Sequence, residues 1–235
     1  MTTPPPTSPG PVPVPDPETR GLRLVAVLLA LTVVSGLIDA VSFLGLGRVF
    51  TANVTGSVVI LGFAAAGVPG FSVRHAVMSL VCFLLGAVTG GRVTGRYGRG
   101  SRRRSARLAL AGEAALVGVA AAVAFARPDT AGTRDALIGL TAFAMGLRTA
   151  TVRKFRVPDL TTTTVVTMTL TGLASESRLG DATHHRTLRR AASVLAMAGG
   201  ACLGAWLVLH HGLGIPLLLA ALASGALAMA ASGRE

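Results

Sequence analysis

The sequence predicts an all-α, polytopic membrane helix bundle with six spans and two short re-entrant segments, arranged as an inverted repeat. Three observations predict it. Apolar runs of about bilayer length recur along 235 residues that are 51% hydrophobic and only 14% charged, whereas a soluble domain carries about a quarter charged residues. The basic residues fall in clusters between those runs. Two of the runs are too short to cross and are rich in Thr and Gly.

Residues 1–19 hold eight of the twelve prolines. Such a stretch lacks donors for helix or sheet and favours solvated polyproline II, so a disordered cytoplasmic tail is expected. Residues 20–232 read as one transmembrane domain. Apolar sequence begins near Leu24 and runs on without an A-x-A cleavage site, which makes the first span an uncleaved anchor. Apolar segments follow at about 21–46, 52–67, 73–95, 106–126, 134–152, 160–175, 188–210 and 213–231. Most reach the roughly 20 residues that a spanning helix needs. Segments 52–67 and 160–175 do not, and Thr161, Thr162, Thr163, Thr164, Thr167, Thr169 and Thr171 crowd the second. Gly86-x-x-x-Gly90 and Gly91-x-x-x-Gly95 in the third segment are candidates for close helix contact. Pro216 is expected in the first turn of the last span.

Charge placement selects the topology. Arg92, Arg96, Arg99, Arg102, Arg103, Arg104 and Arg107 mark the loop after the third segment as cytoplasmic. If all eight segments cross, the basic residues divide almost evenly between the two sides. If the two short segments enter and leave on one side, 17 of the 22 lie inside and only Arg48, Arg74, Arg127 and Arg134 lie outside, with Arg148 within a span. The unit of span, re-entrant segment, span, span then occurs twice, over 21–126 and 134–231. Each unit crosses three times, so the second is inverted, a recurrent plan of transporters. Both termini are expected on the cytoplasmic side of a bacterial inner membrane.

One stretch concentrates the polar chemistry. Gly36–Leu61, GLIDAVSFLGLGRVFTANVTGSVVIL, places Asp39 within a span and an Asn53-Val54-Thr55-Gly56 turn after it. A weaker echo runs from Gly146 to Leu170. An intramembrane carboxylate costs a few kcal/mol and normally faces the bundle interior with a partner. Asp39 reads either as a proton- or cation-coupling group or as the cap of the half-helix that follows. Arg148, one residue off the corresponding place in the second unit, is its expected partner, with anion contact as the alternative. Asn53, Thr55, Gly56 and Thr162 complete the expected substrate site. Glycine permits the bend and the polar side chains can satisfy the amides it exposes. Glu113 and Asp135, near the ends of their segments, are expected at the interface.

The motifs G-L-I-D-A-V-S-F-L-G-L-G-R-V-F-T-A-N-V-T-G, Gly36 to Gly56, and A-M-G-L-R-T-A-T-V-R-K-F-R-V-P-D-L-T-T-T, Ala144 to Thr163, resemble the YoaK-like family of uncharacterised bacterial integral membrane proteins. The resemblance extends loosely over residues 20 to 231. This chain has Ser57 where the family usually has Asn, Arg148-Thr149 where Gln-Asn is commoner, and Met168 where Gly is usual. The resemblance implies an inner-membrane, multi-span helical bundle and no established substrate.

Other classes find little support. No P-loop, nucleophile elbow, HExxH or GxGxxG is present, and no enzyme activity is expected. His184-His185 and His210-His211 lack a third ligand at metal spacing, so neither a metal nor a cofactor is expected. Cys82 and Cys202 lie far apart in apolar runs, as buried hydrophobes. Net charge is +12, but no basic stripe with stacking aromatics points to nucleic acid. The expected partners are the lipid bilayer, a small solute or ion, and a second copy of the chain. A small-solute transporter or channel is the expected function; a membrane scaffold, sensor or assembly protein is the alternative.

Overall fold

Seven helices make up the described part of a computed structural model, which covers residues 17–97, 102–126, 130–154, 171 and 187–230. They are α1 (Pro17–Gly45), α2 (Val54–Ala65), α3 (Val73–Tyr97), α4 (Arg102–Ala126), α5 (Ala131–Lys154), α6 (Thr187–His211) and α7 (Gly214–Ala230). No strand occurs among the described residues. Most of the Pro-rich tail and all of the second short segment except Thr171 lie outside them, Thr162 included.

Four helices are long and apolar enough to cross a membrane: Val25–Gly45, Val73–Arg96, Ser105–Ala126 and Ala191–His211. Their ends carry ordinary helix signals. Ser72 accepts the amide of His75 ahead of α3, and Thr130 accepts the amide of Thr133 ahead of α5. Gly212, at φ 72°, separates α6 from α7 in the left-handed conformation that glycine adopts at little cost. Pro216 sits in the first turn of α7, as expected.

Helix pairing follows small residues. α1 packs along α6, α3 along α5, and α4 against α5 and α7. In the first pair Gly36 lies against the Met197 carbonyl, Gly200 against the Val33 carbonyl and Gly204 against the Leu37 carbonyl. In the second pair Gly146 lies against the Phe83 carbonyl, Gly86 against the Phe143 carbonyl and Gly90 against the Leu147 carbonyl. A Cβ at any of the six would overlap the facing backbone. Contact positions advance together in each pair, so each pair is parallel. The two sets coincide under constant shifts: Val33, Gly36 and Leu37 move 110 residues to Phe143, Gly146 and Leu147, and Gly86 and Gly90 move 114 to Gly200 and Gly204. α4 and α7 meet antiparallel, with Gly118 against Ala221 and Gly225 against Ala114. A Cβ added at Gly91 would meet nothing within 4 Å among the described residues, so the second sequence pair in α3 does not set a seam of the kind formed at Gly86 and Gly90 there.

Ile38, Val41, Val117, Leu137, Ile138, Met145 and Leu217 are fully buried at the centre. Val77, Val81, Leu84, Leu85 and Val88 of α3, with Leu195, Leu203 and Leu209 of α6, are exposed. Exposed apolar area on this scale suits hydrocarbon and not water.

Candidate functional site

The site grows from the break between α1 and α2. After Gly45 the chain reverses through Gly47 and Arg48, both with positive φ. The Arg48 guanidinium sits over the Phe71 ring, 5.7 Å from its centroid, which holds this less common backbone conformation in place. The chain then runs back beside α1. The amides of Ala52 and Asn53 donate to Asp39 Oδ1 at 2.8 and 3.3 Å. Asp39 lies six residues before the end of α1, so α2 begins about 9 Å below that end, at 1.5 Å per residue. Its 12 residues make a helix of about 18 Å, short of a hydrocarbon core of about 30 Å.

Polar side chains satisfy the irregular backbone there. Asn53 caps α2, its Oδ1 accepting from the Gly56 amide at 3.1 Å. Ser57 and Ser79 each donate a hydroxyl to the Phe50 carbonyl at 2.7 Å. The Phe50 ring stacks on Phe43 and fills the space beside Gly56, where a Cβ would not fit. Asp39 therefore acts as a cap, its carboxylate at the positive end of a half-length helix. Asp39 is 4% exposed and Thr51 1%. Asp39 Oδ2 and Thr51 Oγ1 have no hydrogen-bond partner among the described residues.

A second polar cluster lies deeper along α1. Arg148 Nη1 donates to Glu113 Oε1 at 2.9 Å and to the Leu31 carbonyl at 3.4 Å, and Nη2 donates to the Ser35 hydroxyl. Ser224 donates to the same Glu113 oxygen at 3.0 Å. Four helices, α1, α4, α5 and α7, thus meet at one ion pair whose members are 0% and 3% exposed. Two expectations are corrected here. Arg148 pairs with Glu113 and not with Asp39, because its guanidinium lies one to two turns earlier along α1, at Leu31 and Ser35, where α4 presents Glu113. Glu113 is not interfacial: α4 places it in the core, where only an opposite charge makes it tolerable.

Of the expected site residues, Asp39, Asn53 and Gly56 come together. Arg148 belongs to the neighbouring cluster, Thr55 is exposed on α2, and Thr162 lies outside the described residues. Ser35, Thr51, Ser79, Glu113 and Ser224 were not among the sequence candidates. For Glu113 a signal existed: one carboxylate and one guanidinium, each inside an apolar run, are complementary by charge alone. Asp135, at the start of α5, pairs with Arg74 and, at 3.4 Å, with His75 at the start of α3. No His, Cys, Asp and Glu side chains converge for a metal among the described residues.

Residues 27–230 match a family described as a protein of unknown function, DUF1275. The chain belongs to that family. The DUF1275 chain is also similar to a UPF0700 transmembrane protein, YoaK, of Bacillus subtilis strain 168, with 30% identity over 150 residues. That match takes in 64% of this chain and 65% of the relative, so the chain spans just under two thirds of the relative's length. No solved structure matches it. The apolar helices and the family together make it a multi-pass membrane protein.

Proposed function

We propose that the protein is a small-solute transporter or channel of the bacterial inner membrane, not an enzyme, with its site between two inverted units. The observation that carries this reading is α2: a half-length helix whose first turn lies level with a buried carboxylate inside the bundle. Non-helical backbone at membrane depth is stable only where protein or a water-filled cavity surrounds it, and broken helices of this kind form the sites of transporters. The constant shifts between the α1–α6 and α3–α5 contacts support the inverted repeat. In this reading α1, α3, α4, α5, α6 and α7 cross, α2 is re-entrant, and segment 160–175 is its counterpart. Both termini are cytoplasmic.

The test is solute flux into proteoliposomes, read by stopped-flow swelling with small neutral solutes and alkali-metal chlorides. Wild type is expected to raise permeability for at least one of them. Asp39→Asn is expected to lower that rate at least tenfold while the protein remains monodisperse. Flux that is indistinguishable from empty liposomes for every solute would overturn the reading, as would flux untouched by Asp39→Asn.

A further inference from the structure

We propose that the bundle binds one exchangeable proton at Asp39 Oδ2, beside the first turn of α2, and that this proton sets the hold of α1 on the half-helix. The inference rests on reading Asp39 as the centre of the site, and it supplies the coupling ion.

The first argument is a count of charge. Among the described residues the buried charged side chains are Asp39, Glu113 and Arg148. Arg148 is committed to Glu113 at 2.9 Å. Among the described residues one buried negative charge is left over, and it belongs to Asp39. The α2 macrodipole supplies only about half a positive charge at that end. A net charge inside a membrane bundle is expensive unless a counter-charge joins it.

The second argument is atomic. Asp39 Oδ1 accepts two amides, whereas Oδ2, equally buried, has no partner among the described residues. Thr51, next in sequence to the bonded Ala52, also has a buried hydroxyl without a partner. A proton on Oδ2 needs a single acceptor. A hard metal cation would need a shell of roughly six or more oxygens. The nearby oxygens are already engaged: the Phe50 carbonyl by Ser57 and Ser79, and Asn53 Oδ1 by the Gly56 amide. Among the described residues this donor set suits a proton better than a metal cation.

The consequence for movement follows from charge-assisted hydrogen bonding. The ionised carboxylate grips the amides of Ala52 and Asn53 about twice as strongly as the neutral acid. Proton uptake from water forms the Oδ2–H bond, neutralises Asp39 and loosens that grip, and release restores it. Among the described residues two buried charged groups lie on the elements packed around this point, Glu113 on α4 and Arg148 on α5. α2 carries no titratable group. α3 carries Cys82, with Arg74 and His75 at its start and Arg92, Arg96 and Tyr97 toward its end. α4 adds Arg102, Arg103, Arg104 and Arg107 at its start, and α5 adds Arg134 and Asp135 at its start and Arg153 and Lys154 at its end. α6 carries Cys202, with Arg189 and Arg190 at its start and His210 and His211 at the end that lies beside the end of α1.

The test is pH-difference infrared spectroscopy of the full-length protein in lipid nanodiscs. Wild type is expected to show the carbonyl band of a buried protonated carboxyl that disappears as pH rises. Carboxyl-carbon isotope labelling of aspartate should move the band, and Asp39→Asn should remove it. Asp39→Glu serves as a second variant, expected to keep the band and shift its frequency. Exchange of sodium for choline should leave the transition where it is. A band that ignores aspartate labelling, or that survives Asp39→Asn, overturns the proposal, as does the absence of any such band. A transition that moves with sodium replaces the proton by an alkali-metal ion. No flux is needed: the band present without any solute flux would sink the transporter reading alone, and flux without the band would sink the proton site alone.

Discussion

Glu113 and Arg148 are the pair whose loss the bundle tolerates least. Removing one partner leaves the other charge buried and uncompensated, which costs about 3–5 kcal/mol. Glu113→Ala and Arg148→Ala should each lower stability by that amount in detergent unfolding curves. The double variant Glu113→Leu, Arg148→Met, apolar and of similar volume, should recover most of the loss. Equal loss in the single and double variants would show that the ion pair is not what the single variants break. The sequence marks both residues as misplaced charges, yet it does not pair them. It aligns Arg148 with Asp39 at one residue's offset, and one residue turns a helical side chain by about 100°. With the 110-residue shift, the position equivalent to Asp39 is Thr149, and the equivalent of Arg148 is Ile38, a core residue with 0% exposure. Arg148 therefore points where Ile38 points, toward the bundle core, and α4 supplies the carboxylate. The capping role of Asp39, by contrast, is legible, because an Asn-x-Thr-Gly turn follows it at a reach that one extended stretch can close.

Helix contact in hydrocarbon depends on close packing, since lipid is as apolar as leucine. Six glycines against carbonyls set the α1–α6 and α3–α5 seams. Gly36→Leu and Gly146→Leu should each abolish a monodisperse peak in fluorescence-detected size exclusion. Gly62→Ala and Gly199→Ala, where an added Cβ meets nothing, should leave it intact. A tolerated Gly146→Leu would refute the seam. The Gly86-x-x-x-Gly90 pattern is readable in the sequence; Gly91-x-x-x-Gly95 has the same spacing and a different outcome. Spacing alone does not tell which face of a helix meets protein and which meets lipid. The short length of α2 is legible too, because 12 to 16 residues cannot cross.

At the scale of the whole molecule, the distribution of arginine and the proposed inverted plan make one prediction. Cysteines placed at 98–104 and 180–187 should be labelled from the cytoplasmic side, and cysteines at 66–72 from the opposite side. Labelling of 98–104 and 180–187 from opposite sides would restore eight full spans. The all-helical bundle is plain from composition, and seven helices bear it out among the described residues. The repeat is faint in sequence because only the contact positions need to match: glycines and small residues recur under the shifts, while lipid-facing positions need only be apolar. Arg48, Arg74 and Arg134, three of the four residues assigned outside by charge counting, gather at one end of the bundle, Arg74 on Asp135 and both Arg134 and His75 beside Gly47.

Arg148 also bears on how the chain is made. α5, with Arg134, Asp135, Arg148, Arg153 and Lys154, is not among the helices apolar enough to enter a bilayer unaided. Its central charge is neutralised only beside Glu113, on the helix synthesised just before it. If α5 crosses, as proposed, α4 and α5 enter as a hairpin, and α4 must wait at the insertion machinery until its partner emerges from the ribosome.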